Sequence, residues 1–314
     1  MQRPGRRAQI DDRMKMHLRV LRLGGSTLRV ITLRPDTKVA YATNYFHETW
    51  HILSDPQGAR LLARLMWGLS YQRQPNTVVL IYGSHIVPTP FGSERSDPIL
   101  LMRAEDNQPK EKTLQKLRQR LIHLGPSHQT VRWLTFGLDK KVEEDKLCTP
   151  GDFSRDYSND FWLWTCDAQR LRDAETMGRK SGFVCYRAPA KMMQLAASQI
   201  VTMQPTGQYS DYHYLAESDS RWPDGEVQIF SDFRQRCSAA KEARRDVLEQ
   251  QPCFANPADL YTAVASRRDR ILSLRRRQTN RQTLWKTGTK RLRSTRCVAD
   301  DRETYRPNRI ETWP

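Results

Sequence analysis

A hairpin signal near the start constrains the fold of this chain more than any other feature. Residues 17–33 read HLRVLRL-GGS-TLRVITL, two segments of alternating apolar and polar side chains joined by a glycine-rich turn. A period of two residues is typical of strands that bury one face. Two such strands around a short turn predict an antiparallel hairpin. A third short strand, residues 38–43, is expected beside them, giving an antiparallel three-stranded start.

Helical patterns alternate with short apolar runs after the hairpin. Residues 54–56, Ser-Asp-Pro, combine capping side chains with proline at the first helical position, and apolar residues recur at helical spacing behind them. This predicts a helix over residues 56–72. The run TVVLIY at 77–82 predicts a strand buried on both faces. Further elements are expected at 99–103 (strand), 109–124 (helix) and 130–138 (strand).

The second half of the chain carries weaker signals. Residues 139–160 are acidic and contain glycine, which predicts a linker or long loop, and residues 206–225 predict a surface loop. Short strands are expected at 161–165 and 183–187, and helices at 189–203, at 232–249 and from 256–257 onward.

Strands mixed with helices predict an α/β or α+β fold. We expect a mixed sheet that opens with the antiparallel hairpin, helices packed on it, and a basic helical C-terminal arm. The length of 314 residues allows two domains, or one domain with a tail. The expected organisation is a mixed α/β domain at residues 1–150, a second α/β half packed on it at 151–256, and a basic helix with a flexible arginine-rich tail at 257–314.

The formal net charge of +17 is unevenly distributed. Residues 267–296, here named the basic arm, hold twelve Lys and Arg side chains against one acid, Asp269, whereas residues 297–314 are slightly acidic. The part of the chain before the arm is therefore only mildly basic. The cationic residues of the arm, all expected to bind nucleic acid, are Arg267, Arg268, Arg270, Arg275, Arg276, Arg277, Arg281, Lys286, Lys290, Arg291, Arg293 and Arg296.

An arginine-rich helix is suited to binding phosphates. Apolar residues near helical spacing, Leu260, Val264, Ile271 and Leu274, would dock one face and leave guanidinium groups exposed. A guanidinium group matches phosphate oxygens with two parallel hydrogen bonds, and released counterions give strong, salt-sensitive affinity with little sequence preference. Nucleic acid, either DNA or RNA, is therefore the expected partner. The polar segment beyond Arg277 is expected to become ordered only on binding.

Two other partners fit the same charge. An acidic protein would be held by the arm if the chain were a non-catalytic assembly subunit, and an anionic membrane surface would also attract it. The arm lacks the large apolar face of a membrane-lying helix, which favours nucleic acid over lipid. The nucleic-acid and assembly-subunit hypotheses thus both depend on the arm.

A different hypothesis rests on residues 47–51, which read HETWH and satisfy the pattern HExxH. On a helix the two histidines would share a face and bind zinc, and Glu48 would act as general base toward a metal-bound water. This predicts a zinc-dependent hydrolase with His47 and His51 as metal ligands and zinc as the candidate cofactor. The capping signal at 54–56 leaves room for only a short helix, and no third ligand stands out. The alternative is a short linking helix packed under the first sheet without metal.

Location is constrained by apolar runs and cysteines. No window approaches the roughly 18 consecutive apolar residues that span a bilayer. The N-terminal segment is basic without an apolar run, so it does not fit a secretory signal, and Asp11 and Asp12 argue against a transit peptide. The six cysteines are scattered and form no CxxC pair, which argues against a zinc ribbon or a disulfide scaffold. We expect a cytoplasmic protein; whether it catalyses a reaction stays open.

Overall fold

The computed structural model describes residues 13–106, 108–125, 127, 129–147, 166–205, 210–217 and 222–295, and in the C-terminal helix it describes side chains to Gln278. This part of the chain forms two mixed β-sheets with helices between and outside them, which confirms the predicted mixed α/β class and the C-terminal helix. The strands are β1 (Arg13–Leu23), β2 (Ser26–Thr32), β3 (Tyr41–Phe46), β4 (Thr49–Ser54), β5 (Thr77–Ile81), β6 (Ile99–Arg103), β7 (Gln129–Leu134), β8 (Thr176–Lys180), β9 (Phe183–Ala188), β10 (Ser210–Leu215) and β11 (Gly225–Phe230). The α-helices are α1 (Pro56–Ser70), α2 (Glu111–Arg120), α3 (Leu138–Leu147), α4 (Cys166–Asp173), α5 (Ala190–Ile200), α6 (Phe233–Gln250) and α7 (Pro257–Thr295).

The first sheet has seven strands in the order β7-β1-β2-β5-β6-β9-β8. β1 and β2 pair antiparallel with Leu23 opposite Ser26, so the predicted hairpin is confirmed. The β2–β5 and β6–β9 pairs are parallel. The second sheet has four strands in the order β10-β11-β4-β3, and its central pair, β11 with β4, is parallel.

Each sheet joins strands that lie far apart along the chain. β8 and β9 extend the first sheet beside β6, and β10 and β11 extend the second sheet beside β4. The segments 1–150 and 151–256 are therefore interleaved in both sheets. Neither sheet is complete until both segments are in place.

Helix α1 lies between the two sheets. Its buried residues, which include Leu62, Leu65, Met66 and Leu69, cover most of its circumference and leave a narrow stripe on which Gln57 and Arg60 are exposed. A helix with such a wide apolar surface is suited to packing against several elements at once. It contacts β5 and β6 of the first sheet, β4 and β11 of the second, and the neighbouring helix α5. The main apolar core is consequently continuous from one sheet to the other.

The start of α1 confirms the predicted capping signal. Asp55 is the N-cap residue, and its carboxylate accepts a hydrogen bond of 2.8 Å from the backbone N–H of Gly58. Pro56 follows at the first helical position, where its missing N–H leaves no bond unmade. The hydroxyl of Tyr41 donates to the carbonyl oxygen of Gly58 at 2.8 Å, which ties the helix start to β3.

The outer face of the first sheet is covered by α2. Leu114 and Leu117 of this helix pack on Val30, Leu80 and Phe183 in a second apolar cluster. The sheet is thus buried on both faces in its centre, which explains the uninterrupted apolar run of β5.

The expected third strand belongs to the other sheet. It begins at Tyr41 rather than at residue 38, and it pairs with β4. The edge of β2 that it was expected to occupy is taken by β5, whose residue Val78 lies opposite Val30. The three-stranded antiparallel start is therefore wrong beyond its first two strands.

Two expected loops contain regular structure. Residues 138–147 form α3, because Leu138 and Val142 are four residues apart and both are buried, which outweighs the acidic composition of the segment. Residues 210–215 form β10, which pairs antiparallel with β11. The strand expected at 161–165 lies outside the described residues.

Helices α6 and α7 pack against each other beyond the second sheet. Ala239 and Ala243 of α6 contact Val264, Ile271 and Leu272 of α7. The helix continues to Thr295, so the segment beyond Arg277 is helical where we expected a segment ordered only on binding. None of the helices within the described chain is both long enough and apolar enough to cross a bilayer.

We predict that Gly68→Ala destabilises the protein. A Cβ atom at this position would lie 2.2 Å from Nε1 of Trp133, which is only 1% exposed and donates to the carbonyl of Arg64. Overpacking of this kind outweighs the better helix propensity of alanine, and we expect a net loss of about 1–3 kcal/mol in denaturant unfolding. The control is Gly178→Ala, where a Cβ meets nothing within 4 Å. Equal stability of the two variants would contradict the packing argument.

Candidate functional site

The HExxH residues form a β-hairpin turn rather than a helix. His47 and Glu48 connect β3 to β4, and their φ angles are +48° and +61°. Two consecutive left-handed residues are typical of the tight turn that joins twisted antiparallel strands. The flanking segments, YATNYF and TWHILS, are rich in aromatic and β-branched residues, which favour strands. The expected short helix is therefore wrong, and with it the shared helical face of His47 and His51.

His51 lies in β4 and is only 8% exposed. Its Nδ1 is 3.0 Å from Oδ1 of Asn44, its register partner on β3. Because an amide oxygen can only accept, Nδ1 carries the proton and Nε2 presents a lone pair. Within the described residues, no group of three or more His, Cys, Asp or Glu side chains converges to hold a metal ion. Zinc binding by His47 and His51, with Glu48 as general base, stays a prediction. Residues 47–51 do not form the helix that was expected to place both histidines on one face.

A row of polar side chains crosses the second sheet. His51 is the register partner of Asn44 on one side and of Glu226 on the other, and Glu226 is in turn opposite Tyr214. We name these four residues the polar row. Partners in register on adjacent strands point to the same face, so all four lie on the face directed away from α1. Nε2 of His51 is 3.7 Å from Oε2 of Glu226, too far for a direct hydrogen bond.

Burial shifts the pKa values of His51 and Glu226, two of the titratable groups of the row, towards their uncharged forms. It lowers the pKa of His51 to about 4, with a smaller contribution from the nearby His47. It raises the pKa of Glu226 to about 7. Desolvation disfavours the charged form of either group, which explains the opposite directions. Between about pH 4 and pH 7 the two side chains thus form a neutral acid and base pair, not an ion pair, although they lie close together.

The polar row forms the floor of a pocket of about 850 Å³. Five aromatic side chains also line it: Phe46, Phe91, Tyr214, Trp222 and Tyr261. They come from β3, the loop at residues 88–98, β10, the segment before β11, and α7. A volume of this size and a mostly apolar wall around a few polar groups are typical of small-molecule sites. We name it the aromatic pocket.

Backbone contacts hold the Trp222 side of the pocket against β4. The hydroxyl of Thr49 donates to the carbonyl oxygen of Pro223 at 3.0 Å, and the N–H of Trp50 donates to Asp224 at the same distance. Tyr214 and Trp222 meet edge to face, with ring centroids 6.2 Å apart. These contacts give Trp222 a defined place although 60% of its surface is exposed.

The remainder of this sheet face is closed by α6 and by the 88–98 loop. Leu53 and Phe230 pack there against Phe233 and Phe91. Two arginines fix the loop by its carbonyl oxygens: Arg244 of α6 donates to Gly92, and Arg268 of α7 donates to Pro90 and Phe91. The helix pair therefore sets the position of one aromatic wall of the pocket.

No family model matches the chain, and neither a curated protein nor a solved structure is significantly similar to it.

Four arginines of the basic arm hold α7 in place instead of facing solvent as an open row. Arg267 donates twice to Asp246 of α6, at 3.0 and 2.7 Å. Arg275 bonds to Glu242, and Arg276 to Asp232. The side chain of Arg268, 12% exposed, bonds to the 88–98 loop and to Asp269. The expectation that every arginine of the arm is free for phosphates therefore needs correction, because acids of α6 lie along the docked face.

Arg270 and Arg277 are placed differently from these four arginines. Both are exposed on the opposite side of α7, and neither has an ion pair within the described residues. Arg281, Lys286, Lys290, Arg291 and Arg293 belong to the same helix, beyond the last described side chain. Arg296 lies outside the described residues.

Sequence reasoning missed Glu226, Asn44 and the aromatic wall residues. A signal for Glu226 was present, since GEVQIF at 225–230 alternates polar and apolar residues as a half-buried strand does. No local signal could bring Glu226 next to His51, because the two belong to distant segments joined by a parallel pair.

We predict that Glu226→Gln stabilises the protein at high pH only. Folded Glu226 keeps its proton up to about pH 7, whereas the unfolded chain releases it at lower pH. Between these values the folded state binds more protons, so stability falls as pH rises. The amide cannot ionise, and we expect a gain of roughly 1–2 kcal/mol at pH 8, discounted for the open pocket, and none at pH 4. Denaturant unfolding at both pH values measures it, with Glu111→Gln on exposed α2 as control; a gain independent of pH would contradict the prediction.

We predict that Arg268→Ala destabilises the protein and Arg270→Ala does not. Loss of Arg268 leaves the carbonyl oxygens of Pro90 and Phe91 without their donor in a partly buried place. Unpaired groups of this kind cost about 1–3 kcal/mol, whereas a change at an exposed residue such as Arg270 stays within about 0.5 kcal/mol. Thermal and denaturant unfolding compare the two variants. Equal effects would mean that Arg268 does not anchor the loop.

Proposed function

We propose that the protein binds nucleic acid, DNA or RNA, through the outer face of α7, beginning at Arg270 and Arg277. The observation that supports this is the division of the arginines between the two sides of the helix. Arg267, Arg275 and Arg276 are matched with acids of α6 or its N-cap, whereas Arg270 and Arg277 are exposed without an ion pair in the described chain. Exposed guanidinium groups of this kind are suited to phosphate.

Helical spacing extends this face beyond the described side chains. Positions 270, 277 and 281 are seven and four residues apart, so they follow one side of the helix. They span about 16 Å along the axis, a distance over which a nucleic-acid strand presents several phosphates. No sequence-reading element accompanies them, so we expect affinity dominated by charge. The cytoplasmic location expected from the sequence is part of this proposal.

The contacts between α6 and α7 determine where the chain should be truncated to test the basic arm. A truncation at residue 267 would also remove Ile271 and Leu272, which pack on α6, together with the Arg267–Asp246 contact. Loss of binding would then report unfolding of the helix pair as well as loss of charge. A truncation after Gln278 keeps every described contact between α7 and α6.

We predict that Arg270→Glu/Arg277→Glu weakens nucleic-acid binding at least tenfold and lowers the salt dependence by about two counterions. Each phosphate contact contributes roughly 0.9 to the slope of log affinity against log salt on duplex DNA. Fluorescence anisotropy with labelled single-stranded RNA, single-stranded DNA and duplex DNA across a salt series measures both quantities. The truncation after Gln278 is expected to weaken binding further.

The matched control is Arg60→Glu/Arg73→Glu, which makes the same change in net charge at two exposed arginines outside α7. It should weaken binding much less than the α7 variant. If both variants lose affinity equally, net charge alone governs binding and the α7 interface is wrong. If the wild-type protein binds no nucleic acid but retains an acidic protein after nuclease treatment, the assembly-subunit hypothesis replaces this one.

A further inference from the structure

The aromatic pocket has the layout of a site for a flat ring. Tyr214 and Trp222 stand on one side with their relative angle fixed by edge-to-face contact. Phe91 is held from behind by Phe230, at a centroid distance of 6.0 Å. Phe46 packs against the ring of His47 at the turn. Aromatic side chains fixed by one another provide stacking surfaces at little entropic cost, and a planar ligand uses them best.

The floor between these walls offers donors and acceptors side by side. Nε2 of His51 is an acceptor, because its Nδ1 donates to Asn44. A protonated Glu226 presents an O–H donor and a C=O acceptor in one plane, 3.7 Å from that nitrogen. Gln228, two residues along the same face of β11, adds an amide. The matching partner is a planar group with a ring nitrogen acceptor beside an exocyclic amine.

We propose that the aromatic pocket binds a nucleobase with an amino edge, adenine or cytosine, stacked between the aromatic walls and paired with Glu226 and His51. The Glu226 carboxyl donates to the ring nitrogen and accepts one amine hydrogen, and Nε2 of His51 accepts the other. A carboxyl alone would pair equally well with the lactam edge of uracil. The neighbouring His51 acceptor favours a base whose amine has a second N–H to give. The inference does not depend on phosphate binding by α7.

The protonation state of Glu226 supports this pairing. The titratable groups that line the pocket with it are His51 on β4, Tyr214 on β10, Tyr261 on α7, and His47 and Glu48 at the β3–β4 turn. Burial, with no cation of the pocket to offset it, raises its pKa to about 7. The carboxyl is therefore available as a donor in slightly acid and neutral solution. Above that range it becomes a carboxylate, which repels the ring nitrogen of adenine or cytosine.

The pocket lining has no positive charge among its described residues, which favours binding of an uncharged base over a phosphate. Among the described residues that line the pocket there is no lysine or arginine, and Glu48 lies at its edge. A phosphate group would therefore remain outside, and the uncharged part of a nucleotide would enter. Nucleosides are the appropriate probes for this reason.

We predict that the full chain binds adenosine or cytidine at pH 6 at least tenfold more tightly than uridine, in calorimetric titrations. Affinity is expected to fall about tenfold from pH 6 to pH 8, because the protonated fraction of Glu226 falls by that factor around a pKa of about 7. In Glu226→Gln the amide keeps one donor and one acceptor, so binding is expected to persist and to lose its pH dependence. Glu226→Ala is expected to lose binding at both pH values.

Stacking is tested at Trp222. Trp222→Ala is expected to weaken nucleoside binding about tenfold, and Trp222→Phe to retain most of it, since a ring remains on which the base can stack. Glu111→Gln on α2 is the matched carboxylate-to-amide control and should bind as the wild type does. Circular dichroism confirms that each variant is folded before it is titrated.

Either of two results with nucleosides would overturn the inference. One is a folded wild-type protein that binds none of adenosine, cytidine, guanosine and uridine at pH 6. The other is nucleoside binding that neither Glu226→Ala nor Trp222→Ala changes, which would place it elsewhere on the protein. Binding of glucose in place of the nucleosides, with the same dependence on Trp222, would also reject a base in favour of a sugar.

Discussion

Helix α1 buries apolar side chains against both sheets at once, so one face of each sheet belongs to the same apolar core. Hydrogen bonds within the helix satisfy most of its backbone polar groups, and the Asp55 side chain accepts from the N–H of Gly58 at its start. The first sheet then needs a cover on its other face, which α2 supplies. The second sheet receives only a partial cover from α6 and the 88–98 loop. The uncovered part carries the polar row.

Arginines connect the basic helix to this uncovered part. Arg268 and Arg244 hold the loop that carries Phe91, and Tyr261 of α7 itself lines the pocket. The helix that continues into the basic arm is therefore partly a wall of the aromatic pocket, and Arg268 of the arm holds a second wall in place. Within α7, the division between matched and exposed arginines follows from the acids of α6, which face one side of the helix only.

The sequence predicted the elements whose causes are local. The β1–β2 hairpin and the start of α1 follow from alternation, a glycine turn and an N-cap, and all of these act over a few residues. It did not predict β3 in the second sheet, or Glu226 beside His51, because these depend on pairing between distant strands. The HExxH residues show the same limit. Their spacing suits a helix, but the surrounding aromatic and β-branched residues, and the early start of α1, favour two short strands.

Because β4 pairs with β11, the pocket can form only late in the synthesis of the chain. Thr49 bonds to the carbonyl of a residue 174 positions later in the chain. During synthesis from the N-terminus, His51 and Asn44 leave the ribosome long before Glu226 and Trp222 are made. Until then one edge of β4 is unpaired, and the pocket floor lacks Glu226. Unpaired edges attract other strands. Until β11 is synthesised, this edge of a nascent chain can pair with other strands, and closure of the second sheet removes it.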